Sequence, residues 1–468
     1  MTVWLPRPYH PMMIEHALDH PRCALWAGMG LGKTSSIYAL LAGLELAGES
    51  GPTLVIGPKR VARDVWPKEA AKWDNFRHFC VQPIIGSAAE RAAALRNAKA
   101  DVYTINYDNI PWLVQQLGVG NCPFRNIVAD ESIKLKSFRT RQGGVRAKAL
   151  ASIAFHKNVR RWINLTGAPA PNGLKDLWGQ TWFIDQGKRL GHSYSAFEER
   201  WFGFKRVQDA INRHHTHVQP IILPHAQAEI EGLLQDVCLT VDPKDWFDLR
   251  EPIVRRVEVE LHGDAWARYR EMERNMFTEI EGHEIEAFAA AGKTIKCLSL
   301  ASGATYVGEN NDSWVVTHDE KIEALESIVN EAGGAQVLVA YFFRSTLARM
   351  LKAFPGSVDL STVEGMDRFQ AGQAQIGFGH PASMGHGVDG LQAHCHIAVF
   401  ADQWWNFDQR DQFIARIGPV RQHQAGHDRP VFIYDIVGKD TVDELVLERH
   451  ATKRSVQDIL LDAMKRKK

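Results

Sequence analysis

Short apolar runs punctuate the first part of the chain: Cys23–Trp26, Thr53–Ile56, Val102–Ile105, Asn126–Ala129 and Trp162–Leu165. Each is continuous rather than alternating, the pattern of a strand buried on both faces. Between them lie longer segments with apolar residues at helical spacing, Ala88–Ala98 among them. Strand and helix in alternation predict a parallel α/β sheet. From Gln186 to about Thr294 the texture turns aromatic, histidine-rich and charged, with helical spacing at Trp266, Tyr269, Met272 and Met276. A second α/β pattern follows, with a helix over Glu320–Ala332 and strands over Gln336–Phe342, Ile397–Phe400 and Val431–Val437. The expected fold class is α/β: a parallel-sheet lobe over 1–185, a mostly helical insertion or linker over 186–294, and a second parallel-sheet lobe over 295–468.

Composition narrows the picture without redrawing it. The 468 residues are 45% hydrophobic and 24% charged, ample for two cores. Lys+Arg and Asp+Glu stand at 55 each, so no overall charge draws in nucleic acid and any such site is a local stripe. The six cysteines (Cys23, Cys80, Cys122, Cys238, Cys297, Cys395) form no CxxC pair, which argues against a zinc ribbon or a disulfide framework and fits a reducing cytoplasm. No leader-like segment follows Met1 and no run approaches the ~18 apolar residues of a membrane span, so neither secretion nor membrane insertion is expected. His214, His215 and His217, and likewise His394 and His396, lack the four-ligand spacing of structural zinc and read as packed or solvated side chains. The terminal Lys465-Arg466-Lys467-Lys468 reads as a solvated helix end.

The sharpest chemical signal is Ala27-Gly28-Met29-Gly30-Leu31-Gly32-Lys33-Thr34, which follows an apolar strand and precedes the helical pattern Ser35–Ala47. Glycines in such a loop let backbone N–H groups converge on phosphates at a helix N-terminus, while Lys33 reaches the β- and γ-phosphates and the Thr34 hydroxyl ligates Mg²⁺. A literal P-loop pattern would have Gly at position 27, where Ala stands. Phosphoryl transfer also needs one acid at the metal and one to polarise water, and Asp130-Glu131 ends the Asn126–Ala129 strand.

At these residues a family resemblance enters. Asp130-Glu131-Ser132 resembles the DEAD/DEAH box of superfamily 2 helicases, and Ile133-Lys134-Leu135-Lys136-Ser137 resembles its continuation in Swi/Snf-type translocases. Pro6-Arg7-Pro8-Tyr9-His10 resembles the Q-motif region, with His10 where Gln is usual. Pro58-Lys59-Arg60 resembles motif Ia, Asn106-Tyr107 motif Ib, and Thr166-Gly167-Ala168-Pro169 motif III. Ala340–Ser345 is similar to motif IV, Ala382–Gln392 to motif V, and Trp404-Trp405-Asn406 leads into Gln412–Arg416 at the spacing of motif VI. Pro419 stands where the family usually has a second Arg, the nearest basic residue being Arg421, so either Arg421 takes that role after a kink or one arginine serves alone.

The resemblance implies two RecA-like lobes that bind ATP between them and move on nucleic acid. It assigns nucleotide contacts to Arg7, His10, Met29, Gly30, Leu31, Gly32, Lys33, Thr34 and Ser35, with Gly387 and Asp389 from the second lobe. Mg²⁺ falls to Thr34 and Asp130; catalysis falls to Lys33, Asp130, Glu131, Gln412 and Arg416, with Arg421 as the substitute. Nucleic-acid contacts fall to Lys59, Arg60, Asn106, Tyr107, Lys134, Lys136, Phe343, Arg344, Ser383, His386, Trp404 and Trp405. Gln412 and Arg416, four apart, are expected on one helix face. The implied partner is DNA, duplex before single-stranded, with an RNA helicase or a degenerate binding module as the alternatives. By analogy with small single-motor proteins of bacteriophages, a compact monomer in the host cytoplasm is expected.

Overall fold

The computed structural model describes residues 2–118, 120–140, 144–171, 173–208, 216–278, 295–307, 313–384 and 388–463. They form two compact units: Met1–Trp246 with the stretch from Arg454, and Phe247–Lys453.

The first unit is built on β1 (Arg22–Ala27), β2 (Thr53–Gly57), β3 (Val81–Ile84), β4 (Val102–Asn106), β5 (Asn126–Asp130), β6 (Arg161–Thr166) and a seventh strand at 238–241, in the order β3-β4-β2-β5-β6-β1 and then that strand. All neighbours are parallel. Every residue of β2, β4, β5 and β6 is buried, which is why these strands are written as unbroken apolar runs rather than alternations. Register aligns their ends: Trp26 lies opposite Thr166, Asp130 opposite Leu165, and Gly57 opposite Asn106. The carboxyl ends of β1, β6, β5, β2 and β4 therefore open on one edge, where open parallel sheets hold ligands.

The segment 186–294 departs from the expected insertion. It does supply helices, Tyr194–Trp201, Ala226–Leu234 and Gly263–Thr278. It also forms the antiparallel hairpin β7 (Phe202–Gln208) and β8 (Thr216–Ile222), and gives one strand to each main sheet. β9 (Cys238–Val241) pairs with β1 and ends the first sheet, so that lobe closes near 241 instead of 185. β10 (Ile253–Val259) pairs with the last strand of the second sheet. Four residues are too few to display a period, and β10 is an edge strand whose charged side chains hide its strand character.

The second sheet has the order β10-β17-β16-β13-β15-β14, with β13 (Gln336–Ala340), β14 (Val358–Asp359), β15 (Ile376–Gly379), β16 (Cys395–Phe400) and β17 (Phe432–Gly438), all in parallel. A separate antiparallel pair, β11 (Ala304–Val307) and β12 (Ser313–Val316), lies outside it. Ala340 faces both Gly379 and Phe400, so these strand ends are also level. Two buried ion pairs lie in this unit, Lys321 with Asp443 at 2.6 Å and Arg410 with Asp435 at 2.7 Å, each charge offsetting the cost of burying the other. Among the described residues no helix is long and apolar enough to cross a membrane.

Candidate active site

The loop Gly28–Gly32 joins β1 to helix α2 (Lys33–Leu46). Gly30 and Gly32 both take left-handed backbone, φ 79° and 67°, which an L side chain adopts only at a cost. Ala27, by contrast, is the last residue of β1 and has an ordinary strand backbone, so Ala in place of Gly carries no strain there. The Ser35 and Ser36 hydroxyls both donate to the Gly32 carbonyl, at 3.0 and 2.9 Å, and fasten the turn. Lys33 curls back, its Nζ donating to the carbonyls of Ala27 at 2.7 Å and Gly28 at 3.2 Å. Thr34 is half-buried at the loop, whereas the Leu31 side chain is fully buried and only its backbone is available to a phosphate.

His10 opens helix α1 (His10–Asp19) and packs under the loop. Its Nδ1 accepts the Arg7 backbone N–H at 2.9 Å, so the proton resides on Nε2, and a Cβ placed on Gly32 would lie 2.6 Å from that nitrogen. Burial pushes the imidazole down to about 4, with the nearby Arg7 charge adding to the effect and a hydrogen bond to the Leu31 backbone opposing it. The Arg7 side chain is exposed.

Asp130 is 7% exposed and ends β5. Burial pushes its carboxyl above the usual carboxylate range, while the Trp66 indole N–H, the Lys33 charge and the Glu131 amide pull it back. Trp66 Nε1 donates to Oδ2 at 2.9 Å and the Glu131 amide to Oδ1 at 3.1 Å. The buried Asp130 carboxylate and the half-buried Thr34 hydroxyl, both at the carboxyl edge of the sheet, are hard oxygen donors of the kind Mg²⁺ takes. Glu131 itself adopts φ 55°, ψ 54°, one of the few non-glycine residues described with left-handed backbone.

Around the same edge, Lys59 and Lys134 are exposed and Arg60 is half-buried. Lys136 approaches Asp176 at 3.8 Å. Asn106 is 6% exposed, its Oδ1 accepting from Asn109. Tyr107 is placed differently from a nucleic-acid contact: it is buried, and its hydroxyl donates to the Asp130 carbonyl at 3.0 Å.

In the second unit Gln412 lies on the helix Phe407–Ile414 and donates to Asp408 at 2.9 Å. Arg416 is not on that helix, contrary to the expected shared face. It lies in the turn beyond, 8% exposed, with Nε on the Gln412 carbonyl at 3.2 Å and Nη1 on the Val388 carbonyl at 2.9 Å. Gly418 then caps a new helix, Pro419–Gln424, with Pro at its first position, where the missing N–H costs nothing. On it Arg421 pairs with Asp389 at 2.9 Å. Arg344 and Ser383 are exposed, whereas Phe343 is buried and Trp405 is half-buried against its neighbours. Trp404 is a core residue, 2% exposed and stacked on Phe342 at 6.2 Å, so it packs inside the unit where a nucleic-acid contact was expected. His386 and Gly387 lie outside the described residues, as do His214, His215 and the terminal Lys465–Lys468.

Residues 12–241 match the SNF2-related domain. Protein p41 of Acyrthosiphon pisum secondary endosymbiont phage 1 is 52% identical over 469 residues, covering 100% of both chains. The chain belongs to the SNF2-related family. The mouse SWI/SNF-related matrix-associated actin-dependent regulator of chromatin subfamily A member 1 is 22% identical across 92% of this chain, which spans only 41% of that relative's length. A solved structure, the Sulfolobus solfataricus SWI2/SNF2 ATPase core in complex with dsDNA, aligns over 99% of this chain and 94% of its own at 20% identity, with a TM-score of 0.44.

In this SNF2-related protein, two buried residues that fix candidate site segments carry no motif signal of their own. Trp66 grips Asp130 from a fully buried position. Asp402, 0% exposed, accepts the backbone N–H groups of Phe342 and Phe343 at 2.7 and 3.0 Å and the Thr346 hydroxyl at 3.0 Å, so it shapes the loop after β13. Asp402 follows the end of β16 by two residues, a hint the sequence does offer, whereas Trp66 lies nine residues beyond β2 with no such hint.

Proposed function

We propose that this protein hydrolyses ATP to move along nucleic acid, with duplex DNA as its track. The observation that carries this reading is the convergence, within one unit, of the P-loop at the end of β1 and Asp130-Glu131 at the level end of β5. Backbone N–H groups of Gly30 and Gly32, with Lys33, hold the phosphates; Glu131 orients the attacking water. Thr34 and Asp130 would hold Mg²⁺, which would supply charge neutralisation at the phosphates. From the second unit we assign Gln412 and Arg416 to the transition-state charge, with Arg421 in reserve, and Asp389 to the nucleotide. His10 supports the loop, its Nδ1 being occupied by the Arg7 amide.

Exposed Lys59, Lys134, Arg344 and Ser383, with Arg60, are assigned to the sugar-phosphate backbone, so movement is largely independent of base sequence. The preference for duplex over single strands or RNA follows the Swi/Snf resemblance, as do monomeric action and, with the phage relative, a place in host cytoplasm.

Steady-state ATP hydrolysis measured alone and with duplex DNA, single-stranded DNA or RNA tests this directly, with Lys33→Ala as the blank. Stimulation mainly by duplex DNA and loss of turnover in Lys33→Ala are expected. Undiminished turnover in that variant overturns the site, and stimulation by RNA alone overturns the track.

A further inference from the structure

Trp66 stands where three candidate parts of the first unit meet. Its ring is 0% exposed and its indole N–H donates to Asp130 Oδ2 at 2.9 Å. Its carbonyl accepts the Tyr38 hydroxyl at 2.9 Å, and Tyr38 lies on α2, whose first residues are Lys33 and Thr34. Along the chain, one π-helical turn, Val61–Val65, separates Trp66 from Lys59 and Arg60. Trp66 then opens helix α3 (Trp66–Lys72). Single π turns cluster at functional sites, since the extra residue in the turn distorts the regular hydrogen-bond ladder.

The chemistry of the contact is specific. An indole has one donor and no acceptor, and here that donor is committed to a carboxylate oxygen. With the Glu131 amide on the other oxygen at 3.1 Å, the plane of the carboxylate is fixed by two donors from different elements. Tyr107, next to Asn106, donates its hydroxyl to the Asp130 carbonyl at 3.0 Å. A displacement of the Lys59–Arg60 segment therefore passes through one helical turn to the donor that orients Asp130.

We propose that Trp66 is a positioning residue coupling nucleic-acid contact at Lys59 and Arg60 to the carboxylate of Asp130, so that DNA binding tightens the site for a divalent cation. This rests on the ATP-driven, DNA-binding reading above. Linkage makes the effect reciprocal: the cation–nucleotide complex tightens DNA binding by the same factor.

Trp66→Phe keeps an aromatic ring in place and removes the N–H. The probe is Mn²⁺, its binding to the ADP complex followed by electron paramagnetic resonance with and without duplex DNA. In the wild type, DNA tightens Mn²⁺ binding by about fivefold or more, the lower range of allosteric coupling. In Trp66→Phe, Mn²⁺ binds more weakly without DNA and the gain from DNA disappears, while metal-free affinity for a fluorescent ADP analogue is retained, which a collapsed loop would not allow. Equal Mn²⁺ affinity and equal gain in the variant overturn the inference. So does a wild type that binds DNA without any gain, whereas a wild type that neither binds DNA nor hydrolyses ATP overturns the functional reading itself. If Trp66→Phe does not fold, hydrogen exchange on the wild type decides: DNA must slow exchange at Asn126–Asp130 together with Trp66–Lys72, and unchanged exchange at Asn126–Asp130 overturns it.

Discussion

In the first unit Glu131 holds a strained backbone and His10 a charge state set by burial, and each has a measurable consequence. Glu131 sits at φ 55°, ψ 54°, a region that costs a side chain with a Cβ about 1 kcal/mol and that Asn tolerates better. Glu131→Asn is therefore expected to unfold at an equal or higher temperature while losing turnover by at least about a hundredfold, the range of one general base. A variant that loses both stability and activity would remove the case for strain held in the service of chemistry. His10 works through protonation. Its ordinary value is 6.5 and burial pushes it down to about 4, so the folded state favours the neutral ring. Above 6.5 neither state is charged and the contribution is fully present. As pH falls through 6.5 toward about 4 the unfolded imidazole gains a proton that the folded one refuses, and stability drops. His10→Gln, neutral throughout, should flatten the decline in urea midpoint of the first unit between about pH 7 and about pH 5. An identical slope in the variant excludes His10 as its source.

Element by element, legibility followed burial. β2, β4, β5 and β6 were plain because all their residues are buried and each carries a mostly apolar centre, and the P-loop pattern was plain because glycine, lysine and threonine at that spacing have few other uses. β3 was obscured by Pro83, β9 by its length, and β10 by Arg255, Arg256 and Glu258 on an exposed edge. Asp130 was found from its neighbours in sequence, but the Trp66 and Tyr107 contacts that fix it join residues 64 and 23 positions away, and no local pattern encodes them. The break at Gly418-Pro419 was legible, and its consequence was only half so: it places Arg416 in a turn on backbone carbonyls and Arg421 on a fresh helix beside Asp389. This division predicts which arginine is the finger. Arg416→Lys retains charge but loses the planar fork, and should lower kcat by about 10³-fold, the lower range for an arginine finger. Arg421→Ala should cost less than about tenfold on the same scale. A larger loss at Arg421 reverses the assignment.

Across the whole molecule the charges cancel, 55 against 55, which sets this protein apart from nucleic-acid binders that rely on an overall basic field. On the proposed reading its grip on DNA comes from a few cations at the sheet edges: Lys59, Arg60 and Lys134 in one unit and Arg344 in the other. Local contacts of this kind have a thermodynamic signature. Each phosphate neutralised releases counterions, so log K falls against log salt with a slope of about −0.9 per contact on duplex DNA. Four such cations give a slope of roughly −3.5, or a loss of about a hundredfold in affinity between about 50 and about 200 mM salt. Lys59→Ala should make that slope shallower by about one and weaken every duplex sequence alike, because a phosphate contact carries no base information. The experiment is a salt titration of duplex binding by fluorescence anisotropy, on two oligonucleotides of unrelated sequence, for wild type and Lys59→Ala. A slope unchanged by the substitution would move the DNA track off the carboxyl edge of the first sheet, and a strong difference between the two sequences would mean that bases are read.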